Sequence, residues 1–317
     1  YVDGLKITSF DGTIISADAA IPIPEKANET FPVLIFANSW GIPQFEYIQK
    51  VLAWGEQGYI MLEYETRGWY DEQGDIDVAG PKDQRDFSAV VDFIVNQTSW
   101  YPDTKNIAAC GISYGAGISL LGSARDTRIK TAVAMSGWGN MYDALNGGNS
   151  PSLIWGDLLV LLGKIVGKVP QSLLTLQKQL LAGKNFTGIE AFAKVRSPID
   201  VVQNMNERNL PVFVSNNFED RLFKPNYALD FWQAIKGEKM LLLNQGIHAT
   251  AELGGLFGIK DNYVWEKVKL WVDYWLKGEQ NGILDEPKLQ FQLRNDFSKR
   301  SFFKEWPPSR AIKTEFY

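Results

Sequence analysis

The chain has 317 residues, of which 45% are hydrophobic and 22% are charged, a composition typical of a globular protein with a sizeable core. Its formal net charge of −5 argues against nucleic acid as a partner, because phosphates require a basic surface. With one cysteine and one histidine, the chain has no internal disulfide, and neither a metal nor a cofactor is expected.

Short apolar runs alternate with helical patterns along the first part of the chain. Two alternating segments joined by an Asp-Gly turn predict an antiparallel pair, and apolar runs at 32–37 and 59–62 predict buried strands. A helix-like stretch covers about 44–57, and residues 86–95 carry apolar side chains at helical spacing. This alternation predicts an α/β fold with a mostly parallel, doubly wound sheet.

A nucleophile-elbow pattern, G-x-S-x-G, occurs at Gly111-Ile112-Ser113-Tyr114-Gly115. An apolar strand-like segment, 106–110, precedes it and a small apolar helix-like segment, 116–124, follows it, which is the context that the motif requires. Glycine lets the strand and the helix approach closely, while the turn exposes the serine hydroxyl. We therefore predict that Ser113 is a nucleophile; the alternative is an ordinary strand-to-helix turn.

His248, the single histidine, is the predicted base. A serine hydroxyl needs a base near neutral pH, and the unperturbed pKa of imidazole suits that task. His248 lies in a polar loop after the strand-like run 239–243, where a side chain can reach the carboxyl edge of a parallel sheet. The alternative is a structural or surface histidine.

A serine nucleophile and a histidine base commonly form a catalytic triad with an acid that orients the imidazole. This acid is expected in the loop after the strand-like run 211–215, which precedes the run 239–243. Both Glu219 and Asp220 lie in the loop that follows this strand. Asp220 is favoured over Glu219, and for either residue the alternative is a solvated loop charge.

The alternation of predicted strands and helices is interrupted between about residue 139 and residue 206, where we predict a helical cap over the active site. The segment 153–169 is apolar, but Asp157 and two lysines interrupt it, and a membrane span needs about 20 nearly uncharged residues. No membrane span is therefore expected. After this segment strands and helices alternate again, and the last helical pattern covers 264–276.

Three further segments resemble the X-Pro dipeptidyl-peptidase and cocaine-esterase family. Residues 65–74 resemble its D-x-R-G-x-x-x-S-x-G stretch, with Glu65 in place of the first acid. Residues 217–220 resemble the G-W-Y-D segment that bears the catalytic acid, and residues 275–278 resemble the W-L-x-G that closes the hydrolase domain. The resemblance implies an α/β-hydrolase fold with the cap as an insertion.

The end of the chain resembles the linker and first strands of the family's C-terminal jelly-roll domain, at 285–289 and 305–308. The expected organisation is thus a catalytic domain over 1–284 and a β segment over 285–317, the start of a jelly roll.

The oxyanion hole departs from the family pattern. Asn38-Ser39-Trp40-Gly41 falls where cocaine-esterase-like members carry N-P-Y, whose tyrosine hydroxyl helps to form the hole. The first expected donor is the backbone N–H of Tyr114. The second is Trp40, through its indole or its backbone N–H, and the alternative for Trp40 is an aromatic pocket wall.

These features predict a serine hydrolase that cleaves a small ester, an amide or a short peptide through an acyl-enzyme, with small acyl esters preferred over X-Pro amides. The alternatives are an X-Pro dipeptidyl-peptidase and a non-catalytic hydrolase-fold module that binds a ligand. Because the chain starts without a signal-like apolar run, the cytoplasm is favoured over secretion.

Overall fold

One sheet organises the chain in the computed structural model, which describes residues 1–259, 261–309, 311–312 and 314. Its strands are β1 (Val2–Thr8), β2 (Ile14–Ala20), β3 (Phe31–Ala37), β4 (Ile60–Tyr64), β5 (Pro102–Ile112), β6 (Ile129–Met135), β7 (Val212–Asn217), β8 (Lys239–Asn244), β9 (Leu289–Gln292) and β10 (Arg300–Phe303). The order across the sheet is β1-β2-β4-β3-β5-β6-β7-β8-β9-β10. The pairs from β4 through β9 are parallel, and antiparallel strands lie at both edges.

Helices connect these strands and cover both faces of the sheet. They are α1 (Ile48–Gly55), α2 (Pro81–Asn96), α3 (Tyr114–Arg125), α4 (Met141–Asn146), α5 (Leu153–Val166), α6 (Gln171–Leu181), α7 (Phe186–Lys194), α8 (Pro198–Glu207), α9 (Pro225–Ala234), α10 (Thr250–Leu256) and α11 (Tyr263–Val272). No helix in the described part of the chain is long and apolar enough to cross a membrane.

Strand β3 shows why the sheet is covered on both faces. All seven of its residues are buried. Val33 and Ile35 pack into one apolar cluster, whereas Leu34 and Phe36 pack into the cluster on the opposite face, as the two-residue period of a strand requires. The continuous apolar run therefore reflects a parallel sheet buried between helices. The predicted α/β architecture is confirmed.

Helices α4 to α7 form the insertion between β6 and β7 that was expected as a cap, and none of them joins the sheet. The expected boundary at residue 206 is too late, however. Helix α8 packs against α3, and its Met205 belongs to the same apolar cluster as Ala116 and Leu120. Ser197 and Pro198 mark the start of a new helix, but no sequence pattern distinguishes α8, which returns to the sheet layer, from the cap helices before it.

The C-terminal segment continues the sheet. Strand β9 pairs with β8 in parallel register, and β10 pairs with β9 as the outermost strand. The expected division at residue 284 is therefore not a break in the sheet. That this segment begins a jelly roll stays a prediction, and residues 310, 313 and 315–317 of it lie outside the described part.

Candidate active site

Ser113 occupies a strained turn between β5 and α3. Its φ of 55° lies in the left-handed region, which is uncommon for a residue with a side chain. Its backbone N–H donates to the carbonyl of Met135 at 2.8 Å, which ties the turn to the neighbouring strand. The side chain consequently stands at the carboxyl end of the sheet, where an elbow serine is expected.

Glycine is required on both sides of the serine. A Cβ on Gly111 would lie 2.4 Å from the backbone carbon of Gly115, and a Cβ on Gly115 would lie 2.2 Å from the carbonyl oxygen of Ala37. No side chain fits at either distance, because both neighbours are backbone. The two glycines thus allow the close strand–helix approach that creates the turn.

The structure brings Ser113, His248 and Asp220 into one line. Ser113 Oγ lies 2.8 Å from His248 Nε2, and His248 Nδ1 lies 2.7 Å from Asp220 Oδ2. The other carboxylate oxygen of Asp220, Oδ1, accepts the backbone N–H groups of Leu222 and Phe223 at 2.8 and 2.9 Å. This anchoring leaves Oδ2 for the imidazole and holds the ring in the orientation that proton transfer from the serine requires.

The other candidate acids lie elsewhere. The side chain of Glu219 is half exposed and faces Arg294 at 3.7 Å. Glu252 is buried but accepts hydrogen bonds from Ser215 Oγ at 2.5 Å and from Asn217 Nδ2 at 3.2 Å. Asp220 is therefore the acid that the fold places against the imidazole.

The two expected oxyanion donors differ in their surroundings. Tyr114 is the first residue of α3, and the first N–H groups of a helix have no partner within it. The indole N–H of Trp40, in contrast, donates to the backbone carbonyl of Leu159 in α5 at 3.0 Å. The indole N–H, one of the two donors expected for Trp40, is thus engaged by the cap.

The loop that carries Trp40 is held by residues that the sequence reasoning missed. Glu46 accepts the backbone N–H of Ser39 at 2.6 Å, and its other oxygen lies 2.7 Å from Ser39 Oγ. Burial raises the pKa of Glu46 to about 7, although these hydrogen bonds with Ser39 oppose the shift. Asn38 Nδ2 donates to the carbonyl of Ile42 at 2.7 Å. No sequence motif marks these contacts, which form only when loop and helix fold together.

A second missed group lies behind the elbow. The phenol of Tyr114 donates to Asp83 Oδ2 at 2.5 Å. The backbone N–H of Ala79 points at the phenol oxygen, at 3.0 Å, and at the same carboxylate oxygen, Oδ2, at 2.7 Å. Burial, reinforced by the charge of Asp77, raises the pKa of Asp83 well above its usual range. Asp83 thereby fixes the side chain of the residue whose backbone N–H is the first expected oxyanion donor.

One open space adjoins the triad, and a second, smaller one lies beneath the cap without contacting the triad. An open cleft of about 570 Å³ is bordered by His248, Phe218 and Ile247. A smaller cavity of about 90 Å³ lies beneath the cap and is bordered by Trp40 and Leu159. Within the described residues no group of three or more His, Cys, Asp or Glu side chains is arranged to hold a metal ion.

A strand–elbow–helix serine, a histidine after a late strand and an acid after the strand before it define an α/β-hydrolase of the serine-hydrolase class. The family model described as X-Pro dipeptidyl-peptidase (S15 family) matches residues 11–250. The chain belongs to this family, which confirms the resemblance seen in its motifs.

Relatives and solved structures agree with that assignment. A Bacillus cereus protein named "Putative Xaa-Pro dipeptidyl-peptidase" is 26% identical over 227 residues, which cover 69% of this chain and 37% of that protein. A Bacillus anthracis protein of the same name is 23% identical over 278 residues, covering 82% and 45%. The chain thus spans less than half the length of these curated relatives.

A crystal structure of a CocE/NonD family hydrolase from Staphylococcus aureus has a TM-score of 0.74 with this chain, at 16% identity. The match covers 98% of this chain and 57% of that one, and it shows a shared fold.

Proposed function

We propose that the chain hydrolyses carboxylic esters or amides through an acyl-enzyme. Ser113 Oγ attacks the carbonyl carbon while His248 takes its proton, and Asp220 stabilises the imidazolium that forms. His248 then gives the proton to the leaving group, and a water molecule, activated by the same imidazole, releases the acyl group from the serine. The observation that carries the proposal is the continuous Ser113–His248–Asp220 contact at a strained elbow.

The developing oxyanion is bound by backbone donors. The N–H of Tyr114 lies at the start of α3, where the helix dipole also favours negative charge. The backbone N–H of Trp40 is the second donor in this proposal, because the indole is engaged by Leu159. Main-chain donors require no hydroxyl such as the one that the family's tyrosine supplies.

The open cleft at the triad and the cavity beneath the cap favour an ester with a neutral acyl group. The leaving group must lie where His248 can protonate it, and the space bordered by His248 is the open cleft. The acyl chain therefore points away from this cleft, toward Trp40 and the cavity beneath the cap. None of the described residues around the Trp40 cavity is an acid. A peptide's terminal ammonium would therefore find no carboxylate there.

A second candidate function is X-Pro dipeptidyl-peptidase activity, which is favoured by the family match and by the names of the Bacillus relatives. It would need an acid for the substrate ammonium, and Glu219 borders the open cleft. Comparing kcat/KM for p-nitrophenyl esters with kcat/KM for Gly-Pro and Ala-Pro anilides separates the two. A preference for the anilides would exclude the esterase proposal.

Catalysis itself is tested with a fluorophosphonate probe and the variant Ser113→Ala. We expect the probe to label the wild type and to leave Ser113→Ala unlabelled, with a loss of ester turnover of about 10⁴-fold or more. Ser123→Ala, at a buried serine of helix α3, is the matched control and should still be labelled. A wild type that neither labels nor turns over esters would favour a non-catalytic binding module.

A further inference from the structure

The cavity beneath the cap contains one polar group that the fold does not satisfy. Asn146, the last residue of α4, is 1% exposed, yet its side-chain Oδ1 and Nδ2 have no hydrogen-bond partner among the described residues. Its neighbours around the cavity include Met141, Leu145, Leu159 and Val160. Buried amides are almost always paired, so an unpaired one that borders a cavity points to a ligand.

The other polar side chains whose contacts are known at this cavity are engaged. Gln177 donates to Asp157 Oδ1 at 2.8 Å, and the indole N–H of Trp40 donates to Leu159. Asn146 therefore contributes an unpaired amide, with N–H donors and a carbonyl acceptor, to a wall that is mainly apolar. A carboxylate or an ammonium ion satisfies only one half of such an amide, whereas a hydroxyl or another amide satisfies both.

Three wall residues of the cavity adjoin neighbours of the nucleophile and of the base. Its wall residue Trp40 packs edge-on against the ring of Tyr114, with the ring centroids 5.2 Å apart. Another wall residue, Val78, directly precedes Ala79, whose N–H contacts the Tyr114 phenol. Gly156 follows Trp155, whose ring packs against the ring of His248 with the centroids 6.5 Å apart. The cavity is thus within one residue of groups that contact Tyr114 and His248.

We propose that the cavity binds the acyl part of the substrate and that Asn146 selects short acyl groups that carry a hydroxyl or an amide. This inference rests on the proposed function. The volume of about 90 Å³ limits the length, since it is smaller than a cavity of about 150 Å³ that holds one benzene molecule. A chain of a few carbon atoms fits, and a plain hydrocarbon chain would leave the amide of Asn146 unpaired.

Two p-nitrophenyl esters of equal chain length test the selection: N-acetylglycyl, which carries an amide, and pentanoyl, which does not. The measured quantity is the ratio of their kcat/KM values, compared between the wild type and Asn146→Leu, so that the intrinsic reactivity of each ester cancels. A site built to pair with a polar group discriminates strongly against its absence. We expect the ratio to fall at least tenfold in Asn146→Leu, and a smaller fall overturns the inference.

Asn96→Leu makes the same chemical change at an exposed position of α2 and should keep the wild-type ratio. If Asn146→Leu loses its cooperative melting transition, Asn146→Ala replaces it and is judged by the same ratio.

A binding measurement separates this inference from the proposed function. Ser113→Ala protein, with and without Asn146→Leu, is titrated with N-acetylglycine methyl ester and with methyl pentanoate. If the wild type hydrolyses no ester but Asn146 confers a tenfold binding preference, the inference stands and the proposed function fails. If esters are hydrolysed without any preference for the amide, the proposed function stands and the inference fails.

Discussion

The strand ends that carry the triad and the cap that covers them are built in opposite ways. Strands β7 and β8, which lead to Asp220 and His248, are almost entirely buried, and Asp220 is held by two backbone N–H groups. In the cap, α5 exposes a stripe of large apolar residues, with Ile154 at 82% and Ile165 at 69%. A buried frame thus holds the acid of the triad, whereas the insertion over it exposes much of its apolar surface.

Hydrogen bonds along α5 and at its end join the two regions. Trp40 donates to Leu159, the backbone N–H of Tyr70 donates to the carbonyl of Val166 at 2.6 Å, and Trp69 pairs with Gly167. All three contacts join the loops after β3 and β4 to α5 and its end. Substitutions in the frame should therefore affect the chemical step, and substitutions at these contacts should affect substrate selection and cap mobility.

The largest expected effect separates two adjacent acids of the frame. Asp220→Asn should lower kcat by about 10⁴-fold, because an amide no longer fixes the tautomer of His248 or stabilises its positive charge. Glu219→Gln should stay near the wild-type rate, since its side chain faces Arg294 at the rim. Steady-state kinetics on a p-nitrophenyl ester measure both variants. The reverse pattern would move the orienting role to Glu219.

The choice between these two acids shows where sequence reasoning stops. The elbow and His248 were predicted from contiguous patterns, and the strand order confirms the fold that they implied. The position of the loop after β7 predicted the orienting acid only as one of two neighbours, Glu219 and Asp220. Its short side chain can accept N–H groups two and three residues ahead, a local turn that the longer glutamate does not form.

Contacts between segments that are distant along the chain could not be predicted from the sequence. Trp40 and Leu159 are 119 residues apart, and Asp83 and Tyr114 are 31 residues apart. No period or motif links such pairs, because their contact depends on how the cap and helix α2 dock onto the sheet. For the same reason the joining of β9 to β8 was not predicted, since strand pairing follows the tertiary arrangement of the edge.

An intermediate effect concerns the electrostatic cost of the rigid frame. Glu63, in β4, is fully buried, and burial raises its pKa to about 8, with the charges of Asp18 and Glu46 adding to the shift. The native state thus holds a proton that the unfolded chain releases at an ordinary carboxyl pKa. The free energy of unfolding should therefore fall as the pH rises from about 4.5 to about 8.

Glu63→Gln removes this titration while keeping the acceptor for the Tyr47 N–H. Urea denaturation at a series of pH values should show a shallower decline than in the wild type, by a few kcal/mol across that range, at about 1.4 kcal/mol for each pKa unit. Glu56→Gln, at an exposed position, is the matched control and should reproduce the wild-type slope. An unchanged slope in Glu63→Gln would mean that Glu63 is ionised in the native protein.

The smallest effect lies at the contact between frame and cap. Trp40→Phe keeps the ring and the backbone donor but removes the indole N–H that bonds to Leu159. We expect kcat for a short ester to fall less than tenfold, since the oxyanion keeps its backbone donors. The lost hydrogen bond should cost about 1 kcal/mol, so amide hydrogen exchange in α5 should accelerate about fivefold. Trp100→Phe, distant from the cap, should change neither quantity. A loss of about 10²-fold in kcat with unaltered amide hydrogen exchange in α5 would instead show that the indole leaves Leu159 during the reaction and donates to the oxyanion. The cap and the oxyanion hole would then share one donor, the indole N–H of Trp40.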